Sequence, residues 1–339
     1  MISKVPRPLV IPVFIPHQGC PHLCLFCNQN SITGREPCAE EIDIEQTITS
    51  WLARAHNRTG VQVAFYGGSF TCLPRARQEE MLSAVQPFLA RGDVACIRLS
   101  TRPDCLDAEI CTFLKKMGVA IVELGVQSLD DSVLQRSLRG HTARDCRRAV
   151  GLLKKAGIEA GIQLMPGLPG ESGPSFFRGV REIIGLTPAF VRLYPVLVVN
   201  HSGLAEMYRL GNYRPLTMHR AVALCRQARE MFLQAGIRVV RIGLQPSMSL
   251  EKELLAGPYH PAFGELVAAR DWFRRTRALL ACCPPDRRLT VTLSRRDLSA
   301  FLGPKRLNIA RLAQLGLADR LVIETTNAMK RGTLTYVIG

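Results

Sequence analysis

Three cysteines lie close together in the stretch "GCPHLCLFCNQN", at Cys20, Cys24 and Cys27. Thiolates at these spacings can surround one metal ion or one iron–sulfur cluster from a single loop. A structural zinc site normally needs four protein ligands. The nearby candidates for a fourth ligand are His17, His22 and Cys38. Three thiolates alone would leave one iron of a 4Fe-4S cluster open to another ligand, and the spacing favours this open centre.

The other cysteines show no ligand-like spacing. The chain has 12 cysteines, and most stand singly in apolar surroundings, as Cys111 and Cys225 do. A single thiol in such surroundings behaves as a small hydrophobic side chain. In a reducing compartment, a cysteine cluster indicates a metal or catalysis before it indicates a disulfide. The sequence assigns no role to Cys38, Cys72 or Cys105.

Length and composition describe an ordinary globular protein. The chain has 339 residues, of which 47% are hydrophobic and 21% charged, so one large and one small domain are expected. No apolar run approaches the roughly 20 residues that span a bilayer. The apolar start of the chain is interrupted by prolines and is followed by no small-residue cleavage site, which is unlike a signal peptide. We therefore expect a cytoplasmic protein without a membrane partner.

The charge balance points to a polyanionic partner. There are 44 Lys and Arg residues against 28 Asp and Glu residues, which gives a formal net charge of +16. An enzyme for small metabolites has no general need for such an excess, whereas RNA or DNA would be attracted to it. The alternative is a composition that simply favours arginine. Net charge alone therefore favours nucleic acid without establishing it.

Strand-like and helix-like segments alternate over most of the chain. The predicted strands are "LVIPVFIP", "VQVAFYGGSF", "ACIRLSTRPD", "AIVELGVQS", "GIQLMPGLPG", "AFVRLYPVLV" and "RVVRIGLQPS". Helical periodicity separates them at 44–55, 77–90, 108–117, 143–156 and 218–235. This alternation predicts an α/β fold, a partial (βα)6 TIM-type barrel over residues 1–250. The cysteines, the Gly-Gly pair and other polar motifs follow the strands, so the site should lie at the carboxyl ends of the strands.

A small C-terminal α+β domain is predicted over residues 251–339. One basic helix and three strand candidates, "RLTVTLS", "LVIETT" and "TLTYVIG", replace the earlier repeat. On that helix Trp272 and Phe273 are flanked by Arg270, Arg274, Arg275 and Arg277, and further basic residues are Arg287, Arg288, Arg295, Arg296, Lys305 and Arg306. Basic residues interleaved with aromatics suit RNA, through phosphate pairing and base stacking. The alternative is a solvated helix whose aromatic side chains face the core.

The cysteine spacing, followed by "YGGSF" on the second strand, resembles the radical S-adenosylmethionine (SAM) superfamily. The resemblance implies two cofactors, a 4Fe-4S cluster on Cys20, Cys24 and Cys27 and SAM bound to its open iron. One electron then cleaves SAM to methionine and a 5′-deoxyadenosyl radical. It also implies that Phe26 lies near the adenine and that the backbone of Gly67 and Gly68 contacts the SAM amino group. A side chain at those glycines would hold the ligand away.

The motifs "TRPD", "ELGVQSLDDSVL", "RGHT" and "MPGLPGES" resemble a narrower subgroup. It contains the catalytic subunit of Elongator and the oxygen-independent coproporphyrinogen oxidases. The resemblance implies that Gln127 and Arg139 contact SAM, with Arg139 suited to the methionyl carboxylate. Ser100 stands where Elongator-type sequences have glutamate, and Gln163 where the oxidases have aspartate. Both are expected at the SAM site with altered contacts, and His141 is given no role.

The resemblance implies a radical SAM enzyme that modifies a tRNA base. It also implies an electron donor such as flavodoxin or ferredoxin. About 90 residues follow the barrel, too few for the acetyltransferase domain of the Elongator enzyme, so that activity is not carried over whole. The alternatives are a radical SAM enzyme acting on a small metabolite or tetrapyrrole, and a non-catalytic iron–sulfur protein that binds RNA.

Overall fold

The computed structural model describes residues 8–15, 19–28, 43–55 and 59–339. The chain forms two compact units. The first contains residues 1–217 and 231–259, and the second contains residues 218–230 and 260–339. The second unit thus takes in a segment that precedes the last strand of the main sheet, as well as the C-terminal region.

The main sheet of the first unit consists of seven parallel strands. The strands of this unit are β1 Val10–Phe14, β2 Gln62–Tyr66, β3 Cys96–Thr101, β4 Val119–Gln127, β5 Glu159–Leu164, β6 Phe190–Leu193, β7 Val198–Val199, β8 Arg238–Ile242 and β9 Leu254–Ala256. The sheet order is β1-β2-β3-β4-β5-β6-β8, while β7 and β9 form a separate antiparallel pair. The seven segments predicted as strands are therefore the seven strands of this sheet, and the predicted partial-barrel fold is confirmed.

The sheet is curled into a half-barrel with a concave face. Strands β2 and β6 are separated by three strands in the sheet order, so a flat sheet would hold them about 19 Å apart. Yet Arg192 of β6 donates a hydrogen bond from Nη2 to the Tyr66 hydroxyl of β2 at 3.4 Å. The side chains that meet across this gap line the inside of the curl.

Helices connect the strands, as the alternating pattern predicts. They are α1 Ile44–Arg54, α2 Arg75–Ser83, α3 Gln86–Ala90, α4 Ala108–Lys116, α5 Asp131–Arg136, α6 Ala143–Lys155, α7 Gly173–Leu186, α8 Gly203–Arg209, α9 Met218–Gln234 and α10 Met248–Glu253. Side chains spaced three or four residues apart on α6 are buried, including Cys146, Ala149, Val150 and Leu153. This is the stripe expected of a helix with one face against a sheet.

Capping residues determine where several helices begin. Asp43 accepts a hydrogen bond from the Gln46 backbone at the start of α1, and Thr142 forms a capping box with Asp145 at the start of α6. The single helix predicted over 77–90 was wrong, because the chain forms two helices there, α2 and α3. Pro87 lies in the first turn of α3 and has no backbone N–H to donate to the carbonyl four residues earlier, so the hydrogen bonding of α2 does not continue through it.

The second unit is built on a three-stranded sheet. Its strands are β10 Leu289–Ser294, β11 Leu321–Thr326 and β12 Leu334–Ile338, and its helices are α11 Phe263–Cys282, α12 Leu298–Leu302 and α13 Leu307–Gln314. Strand β10 lies between the others, parallel to β11 and antiparallel to β12. Trp272 packs in the core with Phe301 and the inward side chains of β10. Within the described ranges, no helix is both long enough and apolar enough to cross a membrane.

Candidate functional site

The cysteine loop follows β1 and contacts the loops after β2 and β4. A Cβ atom on Gly19, whose φ is +73°, would lie 2.3 Å from the Ser69 carbonyl oxygen, so a side chain there would collide with backbone. The Leu25 amide donates to the Ser137 carbonyl at 3.2 Å, and the Cys27 amide closes a turn on the Cys24 carbonyl at 3.0 Å. Cys24 is buried, while Cys20 and Cys27 are partly exposed. The loop is thus held against its neighbours by its backbone.

The Gly-Gly loop after β2 is bonded to the "TRPD" segment after β3. Ser69, next to Gly67 and Gly68, accepts a hydrogen bond on Oγ from the Arg102 amide at 3.0 Å. The Thr71 and Thr101 hydroxyls lie 2.6 Å apart. Gly67 has a φ of +93°, a conformation that glycine adopts without strain. Two motifs that are far apart in sequence therefore form one surface.

Arg139 contacts the cysteine loop and strand β4 through one buried guanidinium. Its Nη1 donates to the sulfur of Cys24 at 3.1 Å, and its Nη2 donates to the Gly125 carbonyl at 2.7 Å. Its own carbonyl accepts a hydrogen bond from Arg102 Nη2. Arg139 Nε has no hydrogen-bond partner among the described residues. A buried donor of this kind is costly unless a ligand pairs with it, and a carboxylate would do so.

Arg102, Asp104, Arg139 and His141 form what we call the rim network. Arg102 is buried and pairs with Asp104 through Nε and Nη2, each at 3.0 Å. His141 Nδ1 lies 3.8 Å from Asp104 Oδ1, and its Nε2 lies 3.3 Å from the Val126 carbonyl. Burial, assisted by the charge of Arg139, lowers the pKa of His141 to about 4. The imidazole is therefore neutral at physiological pH.

The remaining predicted SAM contacts lie on β3, β4 and β5. Gln127 ends β4 with a φ of +66°, and its Oε1 accepts a hydrogen bond from Gln163 Nε2 at 3.1 Å. A side chain at Gly125 would meet both Arg139 and Gln127. Ser100 pairs in register with Glu123 of β4. The structure therefore brings Gln127, Gln163 and Arg139 to one part of the site.

Phe26 packs in an apolar cluster beside the cysteine loop. This cluster includes Val133, Leu168, Val196 and Leu204. The ring is only partly buried, so one part of it is available to a ligand. Its predicted position near an adenine stays a prediction.

The chemistry of the donor set fits the two cofactors. Thiolates are the usual ligands of iron–sulfur clusters. Burial raises the pKa of the Cys20 thiol above its ordinary value, and the nearby charges of Arg139 and Arg102 offset only part of this rise. As folded here, no three His, Cys, Asp or Glu side chains among the described residues are arranged to hold a metal ion. The loop from Cys20 to Cys27 supplies the three thiols that would hold the cluster. Of the alternative fourth ligands, His17 and Cys38 lie outside the described residues.

A disulfide was not anticipated from the sequence. Cys72 and Cys105 are bonded, with their Cα atoms 5.3 Å apart, a separation ordinary for disulfides. Cys72 closely follows the Gly-Gly motif and Cys105 directly follows "TRPD". The bond therefore ties together two of the loops that line the site. The sequence did contain a signal for this bond, because one cysteine stands just after each of the two motifs.

A second set of charged side chains lies on the concave face, and we call it the inner network. Glu123 of β4 accepts hydrogen bonds on Oε1 from Arg98 Nη2 at 2.5 Å and from the Tyr66 hydroxyl at 3.0 Å. Its Oε2 lies 2.6 Å from Arg192 Nε. Burial and the adjacent Glu123 raise the pKa of Tyr66 to about 12. Sequence reasoning missed this network, although one charged residue in the middle of each apolar strand, "CIRLST", "VAIVELGVQ" and "FVRL", is its signal.

Glu171 is a further titratable group that was not singled out from the sequence. It ends the "GLPGE" loop after β5, where its carboxylate accepts hydrogen bonds from the Gly167 amide at 2.8 Å and from the Ser128 hydroxyl at 3.2 Å. Burial raises the pKa of Glu171 to about 7. The two hydrogen bonds hold the "GLPG" turn against the end of β4.

Two family models match consecutive parts of the chain. The radical SAM superfamily matches residues 14–176, and the radical SAM C-terminal domain matches residues 188–275. The first match begins at the end of β1 and includes the cysteine loop, the Gly-Gly loop, "TRPD" and Arg139. Together the two models span most of the chain.

Individual relatives agree with this assignment. The tRNA uridine(34) acetyltransferase of Methanocaldococcus jannaschii is 28% identical over an alignment of 274 positions, which covers 69% of this chain and 50% of that protein. Among solved structures, Elp3 of Methanocaldococcus infernus with an N-terminal deletion superposes with a TM-score of 0.63 at 23% identity, covering 79% of this chain and 63% of that one.

The coproporphyrinogen III oxidase HemN of Escherichia coli gives a TM-score of 0.52 at 18% identity, covering 79% of this chain and 59% of that one. These two structures establish the likeness of fold. The chain spans about half the length of the acetyltransferase it matches. With its half-barrel, its cysteine loop and both family matches, the chain belongs to the radical SAM superfamily, whose cofactors are a 4Fe-4S cluster and SAM.

Proposed function

We propose that this enzyme cleaves SAM reductively and uses the resulting radical to modify a base in tRNA. The observation that carries the first part is Arg139, whose guanidinium contacts a cysteine sulfur while its Nε lacks a partner among the described residues. Cys20, Cys24 and Cys27 would hold the cluster, and the bound cluster would supply the electron that cleaves SAM to methionine and a 5′-deoxyadenosyl radical.

The protein's own residues bind and orient SAM in this proposal. Arg139 pairs with the methionyl carboxylate through Nε, while Cys24 and Gly125 keep the guanidinium in place. The Gly67-Gly68 backbone would receive the amino group, and Gln127 would also contact SAM. Ser100 and Gln163 complete the site, and Phe26 borders the adenine. The half-barrel shields the radical from water.

The tRNA substrate rests on the relatives and on charge. The most similar relatives include an enzyme named for tRNA uridine(34), and the net charge of +16 suits a polyanion. A uridine in tRNA is therefore the proposed target. The chain spans about half of that relative, so its acetyltransfer step is not carried over. Flavodoxin or ferredoxin is the proposed electron donor, and the cytoplasm, where tRNA is found, is the proposed compartment.

Cleavage of SAM is tested first with anaerobically reconstituted protein, SAM and dithionite. We expect release of 5′-deoxyadenosine from the native chain and none from a Cys20→Ala/Cys24→Ala/Cys27→Ala variant. Cys282→Ser, which changes an exposed cysteine in the second unit, is the matched control and should leave release unchanged. A zinc-loaded protein that releases no 5′-deoxyadenosine would overturn the proposal.

The substrate is tested separately by adding unmodified tRNA transcripts and analysing the nucleosides by mass spectrometry. We expect a uridine of altered mass that depends on SAM and on the three cysteines. If tRNA is unchanged while a tetrapyrrole or another small metabolite is converted, the proposal of reductive SAM cleavage is retained and the proposal of a tRNA substrate is wrong.

A further inference from the structure

The two ends of the three-stranded sheet in the second unit differ in charge. Because β10 is parallel to β11 and antiparallel to β12, Ser294 pairs with Thr326 and Leu293 with Leu334 at one end of the sheet. Two loops leave the sheet at this end. One carries Arg295 and Arg296, and the other carries Lys330 and Arg331. All four side chains are exposed.

A single buried carboxylate holds these two loops together. Arg331 Nε donates to Asp297 Oδ1 at 2.9 Å, and the Gly332 amide donates to Asp297 Oδ2 at 2.7 Å. Arg275 of α11 donates from Nη1 to the Gly332 carbonyl at 2.9 Å. Both loops are therefore fixed to each other and to the basic helix.

A second carboxylate extends the array along α11. Asp271 lies 3.8 Å from Arg229 and 3.9 Å from Arg275, and Arg226 shares it. Both acidic side chains are shielded, since Asp297 is 6% exposed and Asp271 19% exposed. The cations surround them on the outside. We call the outer set the basic strip: Arg229, Arg275, Arg295, Arg296, Lys330 and Arg331.

We propose that the basic strip binds the sugar–phosphate backbone of RNA. This inference rests on the proposed function and names the surface by which the enzyme would hold its tRNA. Among the described residues these six cations form ion pairs with two carboxylates, Asp271 and Asp297, so the strip has a surplus of positive charge. Guanidinium groups pair with phosphate oxygens in a bidentate manner. An extended row of such groups fits a polyanionic chain better than it fits a small anion.

The basic strip would bind RNA through ionic contacts with phosphates and not through base stacking. Trp272 is buried in the core, and Arg275 lies over its ring at 4.5 Å to the ring centroid. Of the two alternatives that the sequence left open for Trp272, the structure has the one in which its ring faces the core, where it packs against Phe301. Phe273 is partly buried against the same core. Binding through phosphates alone is largely independent of sequence and steeply dependent on salt.

The opposite end of the sheet supplies a natural control. Arg287 and Arg288 precede β10 there, and Asp286 beside them is exposed. The third cation at that end, Arg320, is engaged by the carbonyls of Leu280, Cys283 and Pro284. Replacing Arg287 and Arg288 removes the same charge from the same small sheet at its other end.

The experiment compares Arg295→Ala/Arg296→Ala with Arg287→Ala/Arg288→Ala in the full chain. Binding to a fluorescent tRNA transcript is measured by anisotropy between 50 and 200 mM salt. We expect the first variant to bind about tenfold more weakly at low salt, with a salt slope shallower by roughly 1.5 for two lost phosphate contacts. The second should stay within about twofold of the native chain. Arg295→Lys/Arg296→Lys, which keeps the charge, should retain most of the affinity.

Two readouts separate this inference from the proposed function. Release of 5′-deoxyadenosine without RNA should be the same in all variants, which also shows that each has folded. Equal losses of tRNA affinity in the two alanine variants would mean that only the net charge of the protein matters, and would overturn the proposal that the basic strip binds RNA. The proposal would also be overturned if Arg295→Ala/Arg296→Ala bound RNA as the native chain does but no longer bound vesicles of anionic phospholipid. If the strip binds tRNA but no nucleoside changes mass, the strip stands and the substrate assignment falls.

Discussion

The rim network and the inner network contain similar charged groups but differ in how these groups are paired. Each has two buried or largely buried arginines and one carboxylate. In the inner network both Arg98 and Arg192 contact Glu123, so each cation has an anionic partner. In the rim network Asp104 pairs with Arg102, whereas Arg139 donates its hydrogen bonds to the sulfur of Cys24 and the carbonyl of Gly125.

From this difference we infer two roles within one half-barrel: the inner network stabilises the fold, and the rim network binds a ligand. A shared carboxylate closes the inner network, which joins β2, β3, β4 and β6 across the concave face. The rim network has one guanidinium without an anionic partner among the described residues, at the end of the strands where the cysteines lie. An incoming carboxylate would complete it. We therefore expect substitutions in the inner network to lower stability and substitutions of Arg139 to lower ligand affinity.

The largest effect is expected for Glu123→Ala. Removing the shared carboxylate leaves Arg98 and Arg192 without compensation, which costs about 3–5 kcal/mol in the free energy of unfolding. Urea denaturation measures this loss. Glu182→Ala, which removes the partner of the exposed Arg147, is the control and should cost no more than about 1 kcal/mol. Similar losses in both variants would show that the inner network has no special role.

Arg139→Met should weaken SAM binding about thirtyfold, or about 2 kcal/mol, because hydrogen bonds to a charged group are worth about 1.5–3 kcal/mol. Isothermal titration of cluster-loaded protein under anaerobic conditions measures the dissociation constant. Arg98→Met is the contrasting variant, and we expect it to lower stability more than affinity. Unchanged SAM affinity in Arg139→Met would remove the distinction between the two networks.

His141→Asn should flatten the dependence of stability on pH. The pKa of His141 is lowered to about 4 by burial, below its ordinary value near 6.5, so the unfolded chain binds a proton that the folded chain does not. The free energy of unfolding therefore falls as the pH drops from about 6.5 toward 4, by on the order of 2 kcal/mol between pH 6.5 and 5. Arg102, Asp104 and Arg139 face this imidazole.

Denaturation of the cluster-free protein at several pH values measures this slope. The variant should lose that part of the slope, whereas His201→Asn, at an exposed histidine, should keep it. An unchanged slope in His141→Asn would mean that other groups of the rim network take up the proton.

The smallest effect is expected for Gln163→Leu. This change removes the hydrogen bond to Gln127 and should cost about 1 kcal/mol of stability, with a few-fold loss of SAM affinity as Gln127 loses its orientation. The same two measurements apply. A loss as large as that in Glu123→Ala would place Gln163 in the structural part of the barrel.

The strands and the motif loops could be predicted because each has a local signal. Apolar runs end in glycine, proline or cysteine motifs, and parallel strands bring those ends together. Arg139 was predicted to be at the site from the resemblance that the "RGHT" motif carries, but its contact with Cys24 was not predicted, since 115 residues separate the two. The break between α2 and α3 had a local signal in Pro87.

Pairings between distant strands had no such signal. Glu123 meets Arg98 and Arg192 only because the sheet curls, and the degree of curl is a property of the whole sheet. The burial of Trp272 likewise depends on α12 and β10, which follow it in the chain. Spacing along the sequence predicts candidate residues for the site but does not predict the side chains that they contact.

The bond between Cys72 and Cys105 closes a covalent ring around α2, α3 and β3, since those elements lie between the two cysteines in the chain. The thiol reductants used to reconstitute an iron–sulfur protein also open disulfides by exchange. Protein prepared in air and protein prepared with reductant are then two different covalent species, which differ in the bond between two loops of the candidate site. A thiol count on each sample tells which of the two a given SAM titration has measured.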